Sequence, residues 1–270
     1  MRPGWTRHPL LEASNPVNAD QRLVLDDLLL ALADDELILG HRNSEWCGHA
    51  PILEEDIAFA NLALDEIGHA GFWYTILAEL RSEDPGTYPD ALVYFRDIQD
   101  YRCAQLVELP KGDWAFSILR QYLFDSAEMV RLEALADNAY RPVAEAAVKI
   151  RKEEMYHYRH SQAWMRRLGL GTQESGRRLQ NALEQAWPYT QQLFLSLPDN
   201  PALFEDRVIP APQEMLATWD ERVVPFLVEC ALQIPHENRK EISRSQHTPH
   251  LNVLLSEMQA VARSEPEAEW

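Results

Sequence analysis

At 270 residues, with 43 Asp and Glu against 25 Lys and Arg, the chain carries a formal net charge of −18. It has ample apolar material for a core, and it is too acidic to bind nucleic acid through a basic face, because phosphate contacts need clustered Lys and Arg. Glycine is scarce (10), and most of the 17 prolines lie between long Ala/Leu-rich runs, which favours helices over a sheet. The acidic excess reads mainly as a solvated surface, with six carboxylates at most available as metal ligands. Cys47, Cys103 and Cys230 form neither a disulfide framework nor a C-x-x-C pair. The N-terminus lacks the apolar segment of a signal peptide, and no apolar run approaches the length of about 18 residues that spans a bilayer. The expectation is a soluble, cytoplasmic protein without membrane or nucleic-acid partners.

Residues 1–19 are aperiodic and contain Pro and Asn, so they read as a loose arm. From Asp20 to about Ser44 the pattern turns helical, with Leu25, Leu29, Leu32 and Glu36 on one face. Pro51 suits the first turn of a second helix reaching about Ser82. A shorter helix is expected over about 88–104. Asp113 reads as the N-cap of a third long helix to Ala136. A fourth runs from Arg141 to about Leu168 and ends at "GLGT", where Gly169 or Gly171 can take the left-handed stop conformation. Thr172 caps a fifth helix to about Leu195, a sixth covers roughly 212–233, and "TPHLNVLLSEMQAVARSE" reads as a last short helix. The two long hairpins, first with second and third with fourth, predict an all-α four-helix bundle. The expected organisation is one helical domain over 20–270, with the bundle at about 20–168 and accessory helices at about 172–263.

The chemistry-bearing pattern is a repeat. "LALDEIGHAGFW" holds Glu66 and His69 in an apolar run, and "RKEEMYHYRH" holds Glu154 and His157 at the same spacing. Residues at i and i+3 share a helix face, so each pair points inward together. A di-metal carboxylate site needs one further acid from each remaining helix. Glu36 and Asp125 lie at nearly equal distances before Glu66 and Glu154, both in apolar surroundings where an unpaired carboxylate is costly. Glu66 and Glu154 would bridge two ions, His69 and His157 would take one each, and Glu36 and Asp125 would be terminal ligands. Glu128 competes with Asp125 for the third-helix position, and Asp35 is the weaker rival of Glu36. Asp65 and Glu153 are candidates for orienting the imidazoles from outside the ligand set, and equally for solvated surface. His41, His49 and His160 read as surface or capping residues. Phe59, Trp73 and Phe124 read as core packing, or alternatively as the lining of a pocket for an apolar aromatic substrate.

The strings "SEWCGHAPILEEDIAFANLALDEIGHA", "LVELPKGDWAFSILRQYLFDSAE", "KIRKEEMYHYRHSQAWMRRLGLGT" and "HTPHLNVLLSEMQ" resemble the C-type subunits of the bacterial phenylacetyl-CoA epoxidases, over about residue 20 to Trp270. The resemblance implies a ferritin-like fold within the bacterial multicomponent monooxygenases. There a di-iron A-type subunit uses O2 and electrons from an external reductase to epoxidise the ring of an aromatic CoA thioester. It also implies association with an A-type oxygenase subunit in an oligomer, in which the C-type subunit is usually described as structural. Typical C-type subunits have lost metal ligands, with Gln in place of His69 or a non-acid in place of Glu36. This chain fills every position that matches a ligand of the A-type subunit: Glu36, Glu66, His69, Asp125, Glu154 and His157.

Three readings follow: an oxygenase component with its own pair of iron ions, a scaffold for a catalytic A-type subunit, and a stand-alone di-iron oxidase or oxygenase. The same ligands also suit manganese or a mixed manganese–iron pair.

Overall fold

The computed structural model describes residues 17–194, 211–236, 239–266 and 268. Among them there are helices and no strands: α1 (Ala19–Ser44), α2 (Leu53–Arg81), α3 (Tyr88–Tyr94), α4 (Gln105–Glu108), α5 (Trp114–Leu135), α6 (Arg141–Gly169), α7 (Gln173–Ala186), α8 (Pro212–Glu229), α9 (Pro249–Met258) and α10 (Ala260–Ser264). Short 3-10 turns at Ile98–Asp100 and Trp187–Leu193 link them. The fold is all-α, a ferritin-like four-helix bundle of α1, α2, α5 and α6 with additional helices. No helix of the described residues is long and apolar enough to cross a membrane. Nearly all of the expected arm, residues 1–16, lies outside the described residues.

Local chemistry starts and stops these helices. Asn18 caps α1 in a reciprocal capping box with Gln21, Asp113 caps α5 by accepting the Phe116 N–H, and Thr172 caps α7 in a box with Ser175. Five expectations need correction. Pro51 precedes the N-cap Ile52 instead of entering the first turn of α2, and Ser82 closes that helix in the left-handed region at φ 64°. The single helix expected over 88–104 breaks into α3, the 3-10 turn and an extended stretch, because tertiary bonds claim its backbone: Arg102 N–H donates to Asp34 and Ala104 N–H to Asp35. Gly169 and Gly171 are not left-handed, since the positive-φ glycines among the described residues are Gly48 and Gly112. Their small size serves close approach instead: a Cβ on Gly169 would stand 2.2 Å from the Cys230 carbonyl oxygen, and one on Gly171 would stand 2.6 Å from that of Arg167. The helix expected to reach Leu195 gives way at Trp187–Pro188 to 3-10 geometry, and α8 stops at Glu229 rather than near 233.

Burial decides which helices hold the site. From Leu28 to Gly40, α1 is buried on every side, and α5 is buried throughout Ala115–Leu132. A helix enclosed all round lies inside the bundle, whereas α6 is amphipathic and buries one stripe. α7 and α8 pack on α5, where Trp219 Nε1 of α8 donates to Ser126 Oγ at 2.7 Å. Through one buried apolar cluster the accessory helices continue the core of the bundle.

Candidate metal centre

Three consecutive acids in α1, Asp34, Asp35 and Glu36, turn to three different tasks. Asp34 Oδ1 and Oδ2 accept from the Arg96 guanidinium, and Tyr74 Oη and the Arg102 N–H also donate to this carboxylate. Asp35 accepts from Arg131, Arg244 and the Ala104 N–H at 2.9, 2.7 and 2.7 Å. Glu36 points into the bundle axis. A helical step of about 100° per residue separates the three directions. Asp35 therefore faces α5 and the C-terminal segment, away from the centre.

At the axis, ligand atoms of Glu36, Glu66, His69 and Glu154 lie within 4.8 Å of one another, and so do those of Glu66, Asp125 and His157. All six residues are 0% exposed. The imidazole Nδ1 atoms face inward. His69 Nδ1 is 3.2 Å from Glu154 Oε1, 3.8 Å from Glu36 Oε2 and 3.9 Å from Glu66 Oε2. His157 Nδ1 is 3.0 Å from the same Glu154 oxygen and 3.6 Å from Glu66 Oε1. Glu66 and Glu154 thus stand between the two histidines, whose ring centroids are 5.9 Å apart.

The outward ring nitrogens are held crosswise. His69 Nε2 of α2 pairs with Glu153 of α6 at 2.9 Å, and His157 Nε2 of α6 pairs with Asp65 of α2 at 3.2 Å. Each acid immediately precedes the Glu of the opposite motif. A proton on Nε2, donated to these carboxylates, leaves the Nδ1 lone pairs directed at the axis.

Glu128 sits apart from both groups of converging atoms: Arg131 takes its Oε1, and its Oε2 has no partner. Asp125 is bonded at both oxygens, by Gln121 Nε2 at 2.6 Å and Ser161 Oγ at 2.7 Å. Gln121 also donates to Glu66 Oε1 at 2.8 Å, and Asn43 fixes its own carbonyl at 2.8 Å. Sequence reasoning missed Asn43, Gln121 and Ser161. Spacing offered a signal for two of them: Gln121 lies one turn before Asp125, and Ser161 extends the 154–157 face by one more turn. His160 also departs from expectation. It is largely buried in mid-helix, bonded to Glu55 at 2.8 Å and placed edge-on to Phe59. His49 is exposed beyond α1, and His41 lies in its last turn. Phe59, Trp73 and Phe124 are wholly inside the core.

Electrostatics mark the centre as short of positive charge. Burial, then the neighbouring carboxylates Glu154 and Glu36, hold Glu66 well above the usual carboxylate range. Burial likewise raises Glu36 and, together with Glu154, Asp125. Burial lifts Glu128 up to about 7 against the pull of Arg131. For Glu154 burial acts upward too, yet His157 and His69 outweigh it and bring the group down to about 2. Burial opposes charging the imidazoles, but Glu154 pushes His69 up to about 9 and, with Asp65, His157 up to about 12. These acids are not all ionised together unless further cations sit among them.

The residues present fit a pair of metal ions. Glu36 Oε1 and Oε2, Glu66 Oε2, His69 Nδ1, Glu154 Oε1 and Oε2 and His157 Nδ1 are buried without a hydrogen-bond partner, and all lie at this axis. The His–Glu154 approaches are close in distance but lack hydrogen-bond geometry. Buried unpartnered polar atoms are few in folded proteins, and their convergence on one point is a pattern that metal ions would complete. Hard carboxylate oxygens with one imidazole per ion suit iron or manganese.

Comparison with known proteins adds a lineage. The family model described as phenylacetic acid catabolic protein matches residues 7–270. The chain is 36% identical over 243 residues to the C-type subunit of the 1,2-phenylacetyl-CoA epoxidase of Escherichia coli (strain K12), covering 89% of this chain and 97% of that one. It is 27% identical over 171 residues to the A-type subunit of the same organism's epoxidase, covering 62% of this chain and 53% of that one.

Proposed function

The chain belongs to the phenylacetic acid catabolic protein family, and from that premise we propose that it is an oxygenase component of the phenylacetyl-CoA epoxidase type that holds its own di-iron centre. Glu36, Glu66, His69 and Glu154 would hold one ion, and Asp125 and His157, with Glu66 and Glu154 shared, the other. When bound, such a pair supplies activation of O2, with electrons from an external reductase, toward an aromatic CoA thioester. The observation that carries this reading is the convergence of buried, unpartnered carboxylate and imidazole atoms from α1, α2 and α6.

The chain's own residues prepare the site. Asp65 and Glu153 hold the Nε2 protons and so aim each Nδ1 inward. Gln121, clamped by Asn43, orients Glu66 and Asp125 together. Phe59, Trp73 and Phe124 belong to the core that keeps bulk water away, which strengthens every charge interaction at the axis.

The family relationship also favours partners: an A-type subunit within an oligomer, and a reductase. A second reading, a scaffold subunit with a relic site, rests on the longer and closer match to the C-type relative than to the A-type one. A stand-alone oxidase or oxygenase on another substrate is a third, since one fold carries many chemistries. Metal analysis of protein from iron-replete cells separates them. The proposal expects about two irons per chain, lost in Glu66→Ala and Glu154→Ala. Metal-free protein that copurifies with an A-type partner would overturn it in favour of the scaffold. Oxygenase activity with a reductase and no A-type partner would favour the stand-alone enzyme.

A further inference from the structure

A second cluster lies where the segment before α9 meets α4 and the loop leading into it. Cys103, Glu108 and His247 bring Sγ, a carboxylate oxygen and a ring nitrogen within 4.8 Å of one another. The Glu108 side chain is 0% exposed and that of His247 only 6%. Cys103 is wholly buried, and burial with the adjacent Glu108 pushes its thiol up.

The hydrogen bonds around the cluster direct the donor atoms inward. Glu108 Oε2 accepts the Thr248 backbone N–H at 2.6 Å, which leaves Oε1 to face the other two side chains. His247 Nε2 faces the Tyr101 carbonyl oxygen at 3.0 Å. A ring nitrogen meeting a carbonyl must carry a proton, so Nδ1 is a lone pair whenever the imidazole is neutral. That Nδ1 stands 2.7 Å from Glu108 Oε1. Two lone pairs at such a distance repel unless a proton or a cation lies between them. Cys103 Sγ is 3.7 Å from the same oxygen.

We propose that Cys103, Glu108 and His247 form a mononuclear site for a borderline-soft divalent cation of the zinc class, separate from the carboxylate-rich centre, which pins the C-terminal helices to the bundle. The donor set argues for this cation. One thiolate with one imidazole and one carboxylate suits zinc better than iron, manganese or magnesium, which favour oxygen-rich sites. Tetrahedral zinc separates sulfur from oxygen by about 3.5 Å and nitrogen from oxygen by about 3.3 Å, given its usual bond lengths. The Sγ–Oε1 distance already fits, and the Nδ1–Oε1 distance opens by about 0.6 Å on loading. The ion replaces two protons, the one on Sγ and the one shared by Nδ1 and Oε1, and both leave to solvent. Three protein ligands leave a fourth position. Thr248, whose backbone N–H already binds Glu108, carries a buried hydroxyl that has no partner and does not cap α9.

Cobalt titration tests the site without reference to activity. Thiolate ligation of Co2+ gives a near-ultraviolet charge-transfer band, which the carboxylates and imidazoles of the bundle axis do not produce. In full-length protein stripped of metal, the band should reach the intensity of about one thiolate-bound Co2+ per chain, whatever the bundle axis takes up besides. It should vanish in Cys103→Ser, and survive both in the Cys47→Ser/Cys230→Ser double variant and in Glu66→Ala. Absence of the band in the unsubstituted chain overturns the proposal, leaving a proton as the bridge, and so does its persistence in Cys103→Ser. Should Cys103→Ser fail to fold, His247→Gln keeps the thiol and should weaken Co2+ binding at this site by at least about tenfold; unchanged affinity there overturns the assignment equally.

Discussion

Glu36→Met exchanges a wholly buried carboxyl, neither oxygen of which has a hydrogen-bond partner, for an apolar chain of similar length. A buried polar group left unmatched costs about 1–3 kcal/mol, and replacing buried ionic groups by apolar ones of similar volume stabilises by about 1–4 kcal/mol. Burial raises Glu36 toward its neutral form, which offsets part of that cost. The lower half of the range therefore applies, about 1–2 kcal/mol of added stability in chelator, or about 2–8 °C in Tm for a domain of this size. Metal reverses the order. The unsubstituted chain gains about 2.7 kcal/mol when free metal is 100 times Kd, whereas the variant lacks one ligand and gains less. Thermal unfolding with chelator and with anaerobic Fe2+, run on both proteins, reads the crossover. A Glu36→Met protein that melts earlier in chelator, or gains as much from metal as its parent, would refute the argument that this carboxyl is kept for a ligand at the expense of the fold.

Three further outcomes follow from the same geometry. Asp65→Asn and Glu153→Gln leave every inward-facing donor in place but weaken the hold on His157 and His69, so metal affinity should fall by about 10–100-fold. Their half-exposed side chains make the fold nearly indifferent to the change, and a competition assay that finds parental affinity in both variants contradicts the orienting role. Asp35→Ala removes the carboxylate that binds Arg131 and Arg244 in the interior, which should cost about 3–5 kcal/mol in urea unfolding; a loss below about 1 kcal/mol would show that the network is not holding α5 and the C-terminal segment to α1. Metal affinity should also rise with pH. Against the opposing effect of burial, Glu154 holds His69 at about 9 and His157 at about 12, so below those values each Nδ1 must lose a proton before it ligates. Uptake then releases protons, which calorimetry in buffers of different ionisation enthalpy counts; affinity that does not change between about pH 6 and pH 8 would contradict it.

How far the sequence reaches differs from residue to residue. Glu66/His69 and Glu154/His157 were legible because a three-residue step on a helix fixes a shared face whatever surrounds it. The caps Asp113 and Thr172 were legible for the same local reason: a side chain three residues from an unpaired N–H needs no distant partner. The stretch 88–104 was not, because its backbone donors are claimed by Asp34 and Asp35 of α1, and long-range bonds of that kind leave no mark in local periodicity. The end of α6 misled because glycine has two uses, positive φ and small size, and only contact with Cys230 selects the second.

By itself the sequence determined an all-helical chain with two matched hairpins, each carrying an acid, then a Glu-x-x-His, at the registers a bundle needs. Those features follow from spacing along one helix or from neighbours within a turn. Tertiary structure alone decided that Glu128 turns to Arg131 while Asp125 turns to Gln121 and Ser161, that Asp35 serves α5 and Glu36 the axis, and that Asp65 and Glu153 cross over to the opposite histidines. It also decided that His247, distant in the chain from Cys103 and Glu108, meets them at one interior point. The reason is physical: a helix fixes which residues share a face, but only the packing of one helix on another fixes what that face meets.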